Sequence, residues 1–522
     1  MAITADKENG VQVNVLEYFE TYLAKVDRTR IALVEQSRSF TFGQVEESAK
    51  RCATSLVTRI GVMNELIAVY LPKSSEVVFA DLGILYSGNI YTNLDVSSPG
   101  RRIRNILEHL MPLLVITNRD NGDKLRSLDV PAEKILYIED VTAETVVFNS
   151  TTLWRRLDRI IDTDPLCVIN TSGSTGTPKG VTLSHRGTID FMDWAFTTLG
   201  LDGSERIGSL SPFYFDIYTL ELITMLAKGA VLVLIPDGLA TFPVILMEFL
   251  AVQKVSFLFW VPSIMVNISN QELLDKILLP DIKKVLFAGE VFPTKHLNRW
   301  RRALPQAKFV NLYGPIEIHV DCTYFVLDRD LDDDEPLPIG LPCRNTEILI
   351  LNEKNARCET EEQGELCIRG SSLALGYWND PEKTAAAFVQ NPLNTRYPEL
   401  IYRTGDIGYC SERGEIYFVG RKDFQIKHMG YRIELSEIEH RVLCIAGIAN
   451  ACVLYNREKK EIVLFFESKG EQVTSVAIRK ELSVIFPKYM LPTAFYPMQE
   501  LPRNPNGKID RNGLLSTLRG EA

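Results

Sequence analysis

The stretch TSGSTGTPKG (171–180) packs three glycines, three threonines, two serines and one lysine into ten residues. A strand-like apolar run, PLCVIN (165–170), precedes it, and the pattern of VTLSHRGTIDFMDW (181–194) indicates a helix after it. A glycine-rich turn between a strand and a helix lets backbone N–H groups approach an anion closely, and hydroxyls and a lysine add further donors. The stretch therefore predicts a loop that binds a polyphosphate rather than a flexible surface loop.

The loop differs from that of the P-loop NTPases. Their signature places a lysine directly before a serine or threonine. Here Lys179 is followed by Gly180 and preceded by Pro178. We therefore expect a different way of binding the phosphates.

Short apolar, β-branched runs alternate with helix-length amphipathic stretches around this loop. The runs include LIAVYL (66–71), LLVIT (113–117), AVLVLI (230–235), KVLFAG (284–289) and KFVNLYG (308–314). Strands separated by helices predict parallel sheets with crossover helices, which is the layered α/β fold class. No period of 20 to 50 residues indicates a solenoid.

The pattern changes twice towards the C-terminus. After about residue 335, ILILNE, GELCIRG and GEIYFVG follow one another closely, as in a small β-rich subdomain. Beyond GRKDFQIKHMG the chain predicts a hairpin, a helix, a pair of strands and another helix, which form a small α+β domain. We therefore predict a large N-terminal core domain over 1–422 and a small mobile C-terminal domain over 423–522.

Composition restricts the partners. The 522-residue chain carries a formal net charge of −10, whereas nucleic acids and anionic membranes favour basic surfaces. Neither a positively charged start followed by an apolar run nor a window of twenty apolar residues is present. The nine cysteines are scattered without a C-x-x-C pair, which suits free thiols in a reducing cytoplasm. We expect a cytoplasmic protein without a nucleic-acid or membrane partner.

The full loop resembles the phosphate-binding loop of the adenylate-forming superfamily, which includes peptide-synthetase adenylation domains, acyl-CoA ligases and luciferases. Further motifs resemble those of the family and occur in its order, starting with LPKSSEVVFADLGILYSGNIYTNLD upstream. Downstream they are FYFD (213–216), NLYGPIE (311–317), GELCIRG (364–370), YRTGD (402–406), GRKDFQIKHMGYRIELSEIE (420–439) and NPNGKIDR (504–511). The resemblance implies a two-step ligase that joins a carboxylate to the α-phosphate of ATP and then passes the acyl group to a thiol.

The resemblance assigns residues to the nucleotide. The β- and γ-phosphates would lie against Thr171, Ser172, Gly173, Thr175, Gly176, Lys179 and Gly180. Glu317 resembles the acid that binds Mg²⁺, Tyr313 would stack on adenine near Asn311, and cations and fixed donors would stabilise charge on oxygens in the first step. Ile316 departs from the family, which usually has a threonine there, so one donor to the α-phosphate is missing.

Other positions match the residues that serve ribose and domain movement. Asp406 resembles the carboxylate that holds the ribose hydroxyls, with Arg421 as its helper. Asp423 matches the hinge around which the small domain rotates. Lys508 resembles the catalytic lysine that reaches the α-phosphate and the substrate carboxylate, and Gly430 resembles the glycine beside which a pantetheine arm passes.

The FYFD motif favours an amino acid as the substrate. Asp216 stands where peptide-synthetase-type members bind the α-ammonium group, and a buried unpaired carboxylate would be costly for an acid without one. Motif matching gives the whole pocket as Asp216, Ile217, Leu220, Phe259, Leu286, Ala288, Leu312, Val320, Asp321 and Lys508. Its apolar wall suits a compact aliphatic side chain.

This pocket is similar to those of stand-alone prolyl-adenylating enzymes, which load L-proline onto a carrier protein. Asp321 departs from the small or thiol residue expected there, so it provides a second acceptor for the amino group or admits ornithine. D-alanine is a further alternative because the whole-chain organisation is also like that of D-alanine carrier-protein ligases. No pantetheine attachment segment follows Arg511, so we expect a separate carrier protein with a phosphopantetheine arm as the acceptor.

Two other classes stay open from the sequence. An acyl-CoA ligase shares all the nucleotide motifs, and its activity would not depend on Asp216. The other class is a nucleotide sensor without turnover, for which Ile316 is the one indication. The presence of all the residues expected for turnover argues against it, namely Lys179, Glu317, Asp406 and Lys508.

Overall fold

The computed structural model describes residues 12–171, 178–422, 425–468, 473–503 and 509–519. Within these ranges the strands are β1 (Ile31–Glu35), β2 (Arg38–Thr41), β3 (Leu66–Tyr70), β4 (Ile90–Asn93), β5 (Leu114–Thr117), β6 (Ile135–Tyr137), β7 (Pro165–Thr171), β8 (Lys179–Ser184), β9 (Arg206–Ser209), β10 (Val231–Leu234), β11 (Phe257–Trp260), β12 (Lys284–Phe287), β13 (Lys308–Tyr313), β14 (Thr323–Val326), β15 (Leu341–Pro342), β16 (Thr346–Leu351), β17 (Gly364–Gly370), β18 (Gly376–Tyr377), β19 (Phe388–Gln390), β20 (Leu400–Cys410), β21 (Ile416–Arg421), β22 (Gln425–His428), β23 (Tyr431–Glu434), β24 (Ile448–Asn456), β25 (Glu461–Ser468) and β26 (Ala494–Met498).

The α-helices of the same ranges lie mostly between strands. They are α1 (Leu16–Leu23), α2 (Phe42–Arg59), α3 (Ser75–Tyr86), α4 (Gly100–Leu110), α5 (Arg119–Arg126), α6 (Ile138–Val141), α7 (Ser150–Leu157), α8 (His185–Thr198), α9 (Ile217–Lys228), α10 (Pro243–Val252), α11 (Pro262–Asn270), α12 (Thr294–Ala303), α13 (Pro381–Ala387), α14 (Leu435–Leu443), α15 (Ser475–Ser483) and α16 (Arg511–Arg519).

Two large sheets form the N-terminal part. One has the strand order β15-β14-β13-β12-β11-β9-β10-β1-β2, and the other has the order β18-β8-β7-β4-β3-β5-β6. Neighbours within the runs β13-β12-β11-β9-β10-β1 and β7-β4-β3-β5-β6 are parallel, and helices connect them. Both sheets have buried strands that read as nearly continuous apolar runs, because helices cover their faces. The predicted layered α/β class is confirmed.

The local prediction around the glycine-rich stretch was wrong in one respect. Lys179 to Ser184 form strand β8, which pairs antiparallel with β7 so that Thr171 lies opposite Lys179. The helix α8 begins only at His185, where Ser184 caps it by accepting a hydrogen bond from the Gly187 N–H. The loop therefore connects two strands of a hairpin instead of a strand and a helix, and its phosphate donors do not lie at a helix N-terminus.

The C-terminal third forms smaller sheets. A five-stranded sheet contains β16, β17, β20, β19 and β21, in agreement with the predicted β-rich subdomain. The hairpin β22-β23, helix α14, the strand pair β24-β25 and helix α15 follow, also as predicted, and a third strand, β26, which was not predicted, joins β25. Among the described residues, no strand before Arg421 joins the sheets formed after Gln425. The domain boundary at 423 lies outside the described residues and stays a prediction.

The helices were also compared with the requirements of a membrane span. Within the ranges given above, no helix is both long enough and apolar enough to cross a lipid bilayer.

Candidate functional site

The start of strand β8 places a lysine next to the predicted phosphate loop. Thr171 and Lys179 face each other across the hairpin and flank residues 172–177. The Lys179 ammonium lies 5.3 Å from the centre of the Tyr377 ring, and burial lowers its pKa. Ser172, Gly173, Thr175 and Gly176 lie outside the described residues, so their contact with phosphate stays a prediction.

A buried carboxylate lies beside this lysine. Glu317 is 0% exposed, and it accepts hydrogen bonds from the Tyr377 hydroxyl at 2.9 Å and from Arg432 Nη1 at 2.7 Å. Burial alone would raise the pKa of Glu317, but the Arg432 charge together with hydrogen bonds from the backbone, Arg432 and Tyr377 outweighs it, and the pKa is lowered. Glu317 is therefore an ionised, hard oxygen ligand of the kind that Mg²⁺ prefers. In this domain arrangement a guanidinium supplies the positive charge next to it.

A second acidic group lies at the predicted ribose position. Asp406 accepts hydrogen bonds from the Tyr313 hydroxyl and from Arg421 Nη1, both at 2.6 Å. Each carboxylate oxygen has a second lone pair, so two vicinal hydroxyls can still donate to this group. Asn311 lies two residues before Tyr313 on β13 and donates to the Pro338 carbonyl at 2.8 Å. The structure thus brings the four residues predicted for the nucleoside together.

The predicted substrate aspartates lie at the entrance to helix α9 and after β13. Asp216 directly precedes α9 and is partly buried, and burial raises its pKa to about 6. Asp321 is buried, and burial together with the Asp216 charge raises its pKa well above the usual range. The two aspartates are thus close enough to interact electrostatically, and Asp216 is the more readily ionised of the two.

The predicted apolar wall belongs to one buried cluster. Strand register places Phe259 opposite Leu286, and Leu286 opposite Val310, in parallel neighbours. Side chains paired in this way point to the same face of a sheet, and so do residues two positions apart. The cluster contains Ile217, Leu220, Phe259, Leu286, Ala288, Leu312 and Val320.

Three residues of the site were missed by the sequence analysis. Lys427 on β22 interacts electrostatically with Asp406, Asp321 and Asp216, and burial lowers its pKa. Arg432 on β23 pairs with Glu317, as described above. Lys427 and Arg432 both lie in the motif GRKDFQIKHMGYRIELSEIE, and their basic character next to the predicted hinge was a signal that could have identified them. Nothing in the local sequence distinguishes Tyr377.

A cavity lies where the C-terminal hairpin meets the N-terminal part. Its lining includes Thr171, Phe215, Ile316, Tyr431 and Arg432. The Tyr431 ring stacks on Tyr489 at 3.5 Å and contacts Phe215 at 5.1 Å. Ile316 thus lies at the cavity with an apolar side chain where the family usually has a hydroxyl.

Gly430 also lies at this contact between the two parts of the chain. Its N–H donates to Glu290 Oε1 at 2.8 Å, and its φ of +82° lies in the left-handed region. A Cβ atom at this position would come within 2.9 Å of Val261 Cγ1. The backbone therefore passes Val261 at a distance that glycine alone accommodates without strain. The predicted hinge Asp423 and the predicted catalytic Lys508 lie outside the described residues.

Fold and site together define the class: a ligase of the adenylate-forming superfamily. The chain belongs to the AMP-binding enzyme family, whose model matches residues 20–378. It is 30% identical to an L-proline ligase of Streptomyces coelicolor named for an L-prolyl-carrier protein, over 91% of each chain. It is also 30% identical to the D-alanine–D-alanyl carrier protein ligase of Bacillus licheniformis, over 96% of this chain and 99% of that one.

Longer relatives and a solved structure agree with this membership. Tyrocidine synthase 1 of Brevibacillus parabrevis is 29% identical, and the chain spans 43% of its length. The adenylation domain AlmE of Vibrio cholerae, solved with glycyl-adenosine-5'-phosphate, superposes with a TM-score of 0.82 at 21% identity and full coverage of both chains. That likeness concerns the fold.

Proposed function

We propose that the protein activates L-proline with ATP and transfers the prolyl group to the phosphopantetheine thiol of a separate carrier protein. The single observation that carries the amino-acid assignment is Asp216, an acid that burial holds at a pKa of about 6 at the entrance of α9. A substrate ammonium group would pair with this carboxylate and offset the cost of its desolvation. The similarity to two carrier-protein ligases supports the choice of acceptor.

The pocket supports proline among the amino acids. Phe259, Leu286 and Leu220 are buried in the cluster, and bulky apolar side chains of this kind favour a compact aliphatic substrate over a long or polar one. Burial and the Asp216 charge raise the pKa of Asp321 well above the usual range, which favours its neutral form over that of Asp216. A single negative charge therefore faces the substrate, which suits proline better than ornithine with its second ammonium group.

In the first step, an oxygen of the proline carboxylate bonds to the α-phosphorus, the bond to the β-phosphate oxygen breaks, and pyrophosphate leaves. Lys179 would neutralise charge on the leaving phosphates, and Lys508 is proposed to do so at the α-phosphate. Asp406, Arg421 and Tyr313 would orient the nucleoside. Magnesium bound by Glu317 would neutralise part of the phosphate charge.

In the second step, the pantetheine sulfur attacks the carbonyl carbon of prolyl-AMP. The new carbon–sulfur bond replaces the bond from the carbonyl carbon to the phosphate oxygen, AMP leaves, and the thiol proton passes to solvent. Tyr431 lines the cavity between the two parts of the chain, through which the arm would enter, and Gly430 precedes it in the same contact between the two parts.

The test is amino-acid-dependent exchange of pyrophosphate into ATP, measured over the proteinogenic amino acids, D-alanine and ornithine. We expect proline to give the highest rate by at least about tenfold, which corresponds to about 1.4 kcal/mol in the transition state. An equal response to ornithine or D-alanine would overturn the choice of proline.

D-alanine is the second candidate, because the chain is as similar in sequence to a D-alanine ligase as to an L-proline ligase. The size of the pocket separates the two. Phe259→Ala and Leu286→Ala would enlarge it, so both variants should lose proline activation while D-alanine stays a poor substrate. If D-alanine is the better substrate of the unmodified enzyme, it replaces proline in the proposal.

A further inference from the structure

We propose that Asn93 is a positioning residue for recognition of the substrate amino group, because it fixes the loop Phe213–Asp216 to the strand that also supports the phosphate loop. This inference rests on the proposed function. It concerns a polar group that lines the cavity described above and bonds to the loop backbone, but is not among the residues assigned to substrate, nucleotide or metal.

Asn93 ends strand β4 and is 7% exposed. Its side-chain nitrogen donates to the Phe213 carbonyl at 3.2 Å and to Asp81 Oδ2 at 3.0 Å. An amide nitrogen has two hydrogens, so it can serve both acceptors at once. Asp81 is 0% exposed on α3, and its bond to the same nitrogen holds the orientation of the Asn93 amide.

The side chain of Phe213 is fixed as well as its carbonyl. Its ring stacks on Tyr218 with the centroids 4.0 Å apart, and the Lys73 ammonium lies 5.4 Å from the ring centroid. Lys73 in turn donates to the Ser209 carbonyl at 2.6 Å. The first residue of the loop is thus anchored at both its backbone and its ring.

Asp216 follows Phe213 by three residues and depends on this anchor. Its side chain does not cap helix α9, so the course of the loop backbone sets the position of the carboxylate. The neighbouring Thr92 hydroxyl accepts a hydrogen bond from Asn170 Nδ2 at 3.1 Å, next to Thr171 at the phosphate loop. The end of β4 therefore contacts both the ammonium side and the phosphate side of the site.

The double contact made by the end of β4 matters because an amino acid has a fixed spacing between its ammonium group and its carboxylate. The carboxylate must reach the α-phosphate while the ammonium group stays on Asp216. A displacement of about 1 Å in such an arrangement costs on the order of 100-fold in rate. A less firmly held loop should therefore lower the activation rate of substrates that use the ammonium contact. The activation rate of substrates without an ammonium group should stay unchanged.

The test compares L-proline with cyclopentanecarboxylate, which has the same ring without the amino group. The ratio of the two kcat/KM values in pyrophosphate exchange measures amino-group recognition. We expect Asn93→Leu to lower this ratio about tenfold or more, with the KM for ATP changed less than about twofold. Binding of proline by calorimetry should weaken in parallel.

Two further variants leave Asn93 in place. Asp81→Asn retains an acceptor oxygen for the Asn93 amide, so the ratio should stay within about twofold of the unmodified enzyme. Asp81→Leu removes the acceptor and should lower the ratio in the same way as Asn93→Leu. Asn93→Ala replaces Asn93→Leu if the leucine variant does not fold.

The matched control is Asn89→Leu. Asn89 is a buried asparagine just before β4, and its side chain bonds to Ser87 and to the Glu65 N–H, away from the loop. Its loss should lower the melting temperature without changing the ratio. An unchanged ratio in both Asn93→Leu and Asp81→Leu would overturn the inference alone. An unmodified enzyme without exchange for any amino acid would overturn the proposed function and the inference with it.

Discussion

Asp216 makes amino-acid activation sensitive to acid. Burial raises its pKa to about 6, so the carboxylate gains a proton and loses its charge as the pH falls through that value. The substrate ammonium stays charged over this range. We expect kcat/KM for proline to fall about tenfold for each pH unit below 6, because this parameter reports the ionisation of the free enzyme.

The measurement is pyrophosphate exchange between pH 5 and 8, with stability followed at each pH. Asp216→Asn should lower kcat/KM by at least about 30-fold, since loss of one partner of a buried charge pair costs about 2 kcal/mol or more. Its remaining activity should lose the inflection near pH 6. A profile with the same inflection in the variant would assign that pKa to another group.

The two aspartates of the pocket should respond differently to the same substitution. Burial and the Asp216 charge hold the pKa of Asp321 well above its usual range, so Asp321 takes up a proton more readily than Asp216. Asparagine resembles a neutral carboxyl group in shape and in hydrogen-bonding capacity. Asp321→Asn should therefore change kcat/KM for proline less than about threefold, far less than Asp216→Asn. Equal losses in the two variants would mean that both carboxylates are charged.

At the level of single residues, the sequence predicted the site residues that lie within a short sequence motif. Asp216, Glu317 and Asp406 lie in short motifs at strand or helix ends, and the structure places them around one site. Lys427 and Arg432 reach this site from the C-terminal hairpin, so their role depends on how the two parts of the chain pack. No local pattern encodes that packing, and for this reason they were not predicted as site residues.

At the level of elements, the hairpin β22-β23 depends on Gly430. An L-residue in its left-handed conformation costs about 1–2 kcal/mol, and a Cβ atom would meet Val261 at 2.9 Å. Because this contact joins the C-terminal hairpin to the N-terminal part, Gly430→Ala should lower the rate of thioester formation about tenfold. Pyrophosphate exchange, which does not require the pantetheine arm, should stay within about twofold.

The two half-reactions can be measured separately, as exchange and as loading of radiolabelled proline onto a carrier protein. Gly414→Ala is the control, since Gly414 has a similar φ of +76° and nothing lies within 4 Å of its Cβ position. It should share the backbone strain and leave both rates unchanged. A parallel loss of exchange and loading in Gly430→Ala would contradict a role confined to the second step.

Elements were predicted well where burial produces a continuous apolar run. The runs that predicted β3, β5, β10, β12 and β13 agree with the observed ends to within two residues. The prediction failed at β8, because its last four residues, VTLS, merge without a break into the pattern of α8. A short strand in front of a helix has no turn signal to separate the two, and only its pairing with β7 reveals it.

At the level of the whole molecule, the proposed metal ligand Glu317 already has a cationic partner. Glu317 is 0% exposed and accepts hydrogen bonds from Arg432 and Tyr377 in the present arrangement, so a metal ion bound there would compete with the guanidinium. By linkage, a metal that binds only when Arg432 is displaced must disfavour this arrangement. We expect Arg432→Ala to bind Mn²⁺ more tightly than the unmodified enzyme in the presence of a non-hydrolysable ATP analogue. Competition worth about 1–3 kcal/mol predicts an increase of about 5- to 150-fold.

The affinity is measured by electron paramagnetic resonance of free Mn²⁺, which requires no turnover. Arg403→Ala is the control, because Arg403 pairs with Glu365 at 2.8 Å within the N-terminal part and contacts neither Glu317 nor the C-terminal hairpin in the contacts described. It should leave Mn²⁺ affinity unchanged. Arg432→Lys retains a positive charge without the planar guanidinium group. Its Mn²⁺ affinity should therefore lie between those of the unmodified enzyme and Arg432→Ala. Weaker Mn²⁺ binding in Arg432→Ala would mean that the guanidinium assists the metal, so that the two cations occupy the site together instead of in turn.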